Sequence, residues 1–62
     1  KYNELDWLSL NKARDNVINE TERLREELKR KPSLFKDTEK IFSRLRFHLK
    51  HIDAEIARRT EH

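Results

Sequence analysis

Lys40, Arg44, Phe47, Lys50 and His51 fall on one side of any helix drawn through the second half of this chain, and Lys36 and Arg58 continue that side. Between Lys40 and Lys50 there is no acidic residue, and Arg46 adds a charge near the edge. Cations at this spacing can hold several phosphates, while an exposed aromatic ring can stack on an unpaired base. The deep major groove of A-form RNA is poorly read by side chains, so a helical ridge of this kind would meet RNA through backbone and unpaired bases. Lys40, Arg44, Phe47, Lys50 and His51 are therefore the candidate nucleic-acid-binding residues, with RNA ahead of DNA. The plainer reading is a solvated face. Glu39, Asp53 and Glu55 dilute the stripe at its ends, the net charge is only +3, and Phe47 would serve equally well packed against a third helix or a partner protein.

Other chemistry finds little support in these residues. His48 and His51 stand three apart with Asp53 and Glu55 nearby, but neither spacing supplies three convergent metal ligands. Ser9, Ser33 and Ser43 have no adjacent base with an orienting acid. Asp6, Asp15, Glu20, Glu22, Glu26 and Glu27 read as surface carboxylates beside lysine or arginine, with no sign of the burial that tunes a catalytic acid. Glycine is absent, which removes every glycine-rich phosphate loop. The expectation is a non-enzymatic protein with no cofactor, no metal and no small-molecule substrate. Asn19-Glu20-Thr21 matches a glycosylation triplet but sits inside a helical pattern and reads as chance.

Size narrows the field further. Sixty-two residues allow one domain with little interior, and with no cysteine neither a disulfide nor a thiolate metal site can brace it. A small chain so placed is ordinarily stabilised by a second copy, by a partner, or by a larger polypeptide of which it is a part. The start at Lys1 and the lack of methionine fit excision from a longer protein. Charged residues make up 44% and apolar ones 34%. The apolar residues are regularly placed, so amphipathic helices explain this balance better than disorder does. No run of 18 apolar residues exists, which argues against a membrane span. Cytosol or nucleus is the favoured setting for a chain without cysteine.

Pro32, the sole proline, divides the sequence nearly in half. Proline ends a preceding helix and suits the first turn of the next, with Ser33 or Asp37 as capping candidates. The pattern gives an all-α, antiparallel two-helix hairpin over residues 1–62, with helix 1 over about 3–30, a turn over about 31–34 and helix 2 over about 34–60. Its start lies at Asn3 or Asp6. In helix 1, Trp7, Leu10, Val17, Leu24 and Leu28 follow a three-four repeat. Arg14 and Thr21 fill the remaining seam positions, and Ala13 and Ile18 widen the stripe. Glu26–Arg30 and Glu27–Lys31 are spaced for helical ion pairs, and Lys29-Arg30-Lys31 suits the negative end of the helix dipole.

In helix 2, Phe35, Thr38, Phe42, Leu45, Leu49, Ile52, Ile56 and Arg59 alternate spacings of three and four, and Leu34, Ile41 and His48 extend that face. The short connection forces the helices antiparallel. Leu24 and Leu28 are then expected near Phe35 and Phe42, and Trp7 and Leu10 near Ile52 and Ile56. Such a stripe is wider than one neighbouring helix covers. Self-association into a four-helix bundle is the simplest closure, docking onto another helical protein surface comes second, and a single long coiled coil broken at Pro32 third. The leading functional expectation is a protein–protein interaction or oligomerisation module. Nucleic-acid binding is the alternative, and an anionic membrane surface is disfavoured because the apolar side is already needed to close the hairpin.

Overall fold

The computed structural model describes residues 2–61. A 3-10 turn at Tyr2–Glu4 precedes helix α1, Trp7–Arg30; a second 3-10 turn at Pro32–Leu34 leads directly into helix α2, Phe35–Thr60. The two helices form an antiparallel hairpin, 45 × 17 × 16 Å overall. Its direction is fixed by contacts far apart in sequence: Arg14 meets Asp53, and Arg59 meets the Leu5 carbonyl. A continuous coiled coil is excluded, because the chain reverses at Lys31–Leu34.

Local chemistry sets each boundary. Helix 1 starts at Trp7, not at residue 3, because Asp6 caps it. The Asp6 backbone is extended and its Oδ1 accepts from the Ser9 N–H at 2.7 Å, satisfying one of the unpaired donors of the first turn. That hydrogen bond also holds the Asp6 carboxyl below its ordinary range. At the other end, Lys31 precedes proline and leaves helical geometry at φ −136° and ψ 82°, while its N–H still donates to Glu27 O at 2.9 Å.

Neither Ser33 nor Asp37 caps α2. The 3-10 turn supplies the missing acceptors itself, with Leu34 N–H donating to Lys31 O and Phe35 N–H to Pro32 O. Asp37 instead lies within the first turn of α2, where a negative charge suits the helix dipole. Ion pairs along α1 also differ from expectation. Glu26 pairs with Lys29 at 3.4 Å and Glu20 with Arg23 at 3.2 Å, in place of Glu26–Arg30 and Glu27–Lys31.

The core is thin. Leu10 and Ile52 are the only fully buried apolar side chains among the described residues, and each is worth roughly 1.5–3 kcal/mol. Val17, Leu24, Leu28, Phe42, Leu45, Leu49 and Ile56 are half-buried along the same seam. Thr38 is buried too, its hydroxyl donating to the Leu34 and Phe35 carbonyls of its own helix. Trp7 and Phe35 depart from the expected core: they are 51% and 58% exposed. Each is the first residue of its α-helix, preceded only by a short 3-10 turn, so it sits at an end of the hairpin where fewer neighbours cover it.

Candidate functional site

Three surfaces hold the residues singled out by sequence. The first is an apolar stripe along one flank of the hairpin. At about 100° per residue, Trp7, Arg14 and Ile18 lie within about 40° of one another on α1, and Phe35, Phe42 and Leu49 do so on α2. The Arg14 Nε donates to Asp53 Oδ1 at 2.8 Å, which places these two flanks side by side. Both partners are substantially exposed, so the pair orients the helices more than it stabilises them. Thr21, the other polar seam residue, donates to Val17 O at 2.9 Å and leaves no unpaired hydroxyl in the seam.

The second surface is a polar brace that ties the amino-terminal turn to α2. Glu55 is buried and takes two guanidinium groups from its own helix. Arg58 Nε donates to its Oε1 at 3.1 Å, and Arg59 Nε to its Oε2 at 2.7 Å. The hydrogen bonds from Arg58, then those from Arg59, pull the Glu55 carboxyl down to about 2, and Glu55 in turn raises Arg58. Arg59 then reaches across to donate to the carbonyls of Leu5 and Tyr2. On the same side, Tyr2 Oη and His48 Nδ1 share a hydrogen bond of 2.7 Å, its direction set by the imidazole tautomer, and the rings meet edge-on. A seam position for Arg59 thus becomes a crosslink, and Glu55 becomes a buried anchor instead of a diluting surface charge.

The third surface is the outward side of α2. Lys36, Lys40, Arg44, Phe47, Lys50, His51 and Arg58 are all exposed. Phe47, 59% exposed, sits against His51 with ring centroids 4.4 Å apart and against His48 at 6.0 Å. These rings, with Tyr2, Ala54 and Arg58, border an open hollow of about 470 Å³. The structure therefore joins Phe47 and His51 directly and adds Tyr2 and His48, while Lys40 lies farther along the helix.

Glu55, Arg59, Tyr2 and Leu5 form the geometry least visible in sequence. The spacing of Glu55 to Arg58 and Arg59 is the helical ion-pair spacing and is a signal in its own right. The fold-back of residues 2–5 leaves none. Among the described residues, no three histidine, aspartate or glutamate side chains converge as a metal site, and no helix is long and apolar enough to cross a membrane. Comparison with protein-family models, with curated proteins and with solved structures finds no match to this chain.

Proposed function

We propose that this hairpin is a non-enzymatic self-association module that completes a four-helix bundle with a second copy of itself. The observation that carries the reading is the surface left open. A folded monomer of 7.6 kDa is expected to expose about 4,300 Å², yet this chain exposes 5377 Å². The surplus of about 1,100 Å² is of the size one partner contributes to a standard interface, about 800 Å².

The stripe is also self-complementary. Measured from the helix midpoints at about 1.5 Å per residue, Trp7 lies about 17 Å towards one end and Phe35 about 19 Å towards the other. A two-fold axis through the middle of the stripe sets Trp7 of each copy over Phe35 of its partner, with Ile18 near the axis. The same rotation brings Asp53, about 8 Å from the middle, towards Arg25 of the other copy, about 10 Å from it on the opposite side. Leu10, Val17, Leu24, Leu28, Phe42, Leu45, Leu49, Ile52 and Ile56 would form the interior, and the polar edge would set orientation more than affinity.

Thermal unfolding at several concentrations tests the proposal, because only an assembly has a midpoint that depends on protein concentration. The midpoint is expected to fall on roughly hundredfold dilution. An unchanged midpoint with full helicity would assign the stripe to a different protein partner or to none.

A further inference from the structure

We propose that the hollow beside Phe47 is a docking shelf for single-stranded nucleic acid, in which an unpaired base stacks on Phe47 with the tilted His51 ring at its edge while flanking phosphates meet Arg44 and Lys50. This site does not rest on self-association. Phe47 is turned about 120° around α2 from Phe35, so pairing through the stripe leaves it open.

Three features of the shelf point to this ligand. The first is the aromatic ledge itself. Phe47 is more than half exposed although it touches His48 and His51, so its free face is available to a planar group. The hollow of about 470 Å³ beside this ring is open to solvent. The second is the sign of the charge. Arg44 and Lys50 stand three residues either side of Phe47, which places each within about one helical turn of the ring. No carboxylate occurs between Lys40 and Lys50.

The third is what the nearby acids are doing. Glu55 itself lines the hollow but is held by Arg58 and Arg59, and Asp53 is held by Arg14. Glu39 and Asp37 lie beyond the shelf, nearer the turn, beside Lys40 and Lys36. Glu4, on the amino-terminal turn, is already engaged. An anionic ligand therefore meets uncompensated cations at Arg44 and Lys50. A base stacks on an aromatic face whatever its identity, so the shelf selects unpaired strands over duplex and shows little sequence preference.

Fluorescence anisotropy with a labelled oligouridine, the matching oligothymidine and a duplex of equal length tests this directly. Both single strands are expected to bind at low salt, with affinity falling as salt rises. Phe47→Ala should weaken binding roughly 5- to 140-fold, the equivalent of one base–aromatic stack, without changing the salt dependence. Phe47→Trp should restore it. The Arg44→Gln/Lys50→Gln variant should lower the slope of log affinity against log salt by roughly 0.7 for each phosphate that is no longer neutralised.

These positions are exposed, so unchanged helicity by circular dichroism will accompany each variant. Tighter binding of either single strand upholds the shelf and assigns RNA or DNA. Binding of duplex as tight as single strand, Phe47→Ala binding like the wild type, or no binding at low salt would overturn it. In that last case the basic face is only a solvated surface or a contact for an acidic protein.

Discussion

Phe35→Ala separates an assembly surface from a tolerated surface aromatic. The ring is 58% exposed in the hairpin. A phenylalanine carries roughly 150–250 Å² of surface, which leaves about 100 Å² still open. Covering that area is worth about 2.5 kcal/mol per copy at about 25 cal/mol per Å². Two-fold symmetry counts the contact twice, so the substitution removes at most about 5 kcal/mol from the dimer. Alanine retains part of the contact, and buried area converts incompletely into affinity. The expected weakening is therefore at least about tenfold and at most about 4,000-fold. Sedimentation velocity over a dilution series measures it. Alanine is a good helix former and Phe35 makes no capping side-chain bond, so monomer helicity should persist. Phe47→Ala, on another side of α2, is the matched control and should leave association unchanged. Equal dimer constants for Phe35→Ala and wild type would refute the reasoning.

Other perturbations probe the hairpin itself. Ile52→Ala empties the centre of the seam and should cost about 2–5 kcal/mol, read by urea denaturation. Set against a total of roughly 3–9 kcal/mol for a chain of this length, that leaves little folded protein, and a loss below about 1 kcal/mol would show that Ile52 is not central. Glu55 has its folded pKa depressed to about 2 from an ordinary 4.5. Its contribution is therefore fully present above about pH 4.5 and lost as pH falls towards 2. Acid should free Arg59 from its carboxylate and loosen the amino-terminal turn, followed by the NMR shifts of Tyr2 and the Leu5 amide. In Glu55→Gln those shifts should already be displaced at neutral pH and flat across the window; a wild-type-like titration in the variant would discount the brace. Asp6→Ala should fray the first turn of α1, seen as faster amide exchange at Ser9, and Asp6→Asn should restore protection because an amide oxygen accepts the same bond. Equal protection in Asp6→Ala and wild type would show that the cap is dispensable.

The hairpin is legible because Pro32 is the only breaker and because the three-four repeats on either side are long. Periodicity chooses a face for Leu10 and Ile52, and both are fully buried. It cannot weigh position along the helix, which is why Trp7 and Phe35 resemble core residues although helix ends leave them open. The start of α1 is ambiguous for a different reason. Asn3 and Asp6 are both capping residue types, and only the extended backbone at Asp6, with its bond to Ser9, distinguishes them. The outward orientation of Lys40, Arg44, Phe47, Lys50 and His51 follows from helix geometry alone. The Tyr2–His48 and Arg59–Leu5 contacts do not, since they join residues 46 and 54 positions apart through a turn with no repeating pattern.

Sedimentation equilibrium at neutral pH distinguishes a self-associating hairpin from a lone one, since it reports mass without reference to shape. A self-associating hairpin approaches twice the 7.6 kDa chain mass reversibly as concentration rises, with the Phe35→Ala variant shifted towards the single-chain mass. A wild-type protein that stays at 7.6 kDa across the whole range while remaining fully helical would contradict self-association.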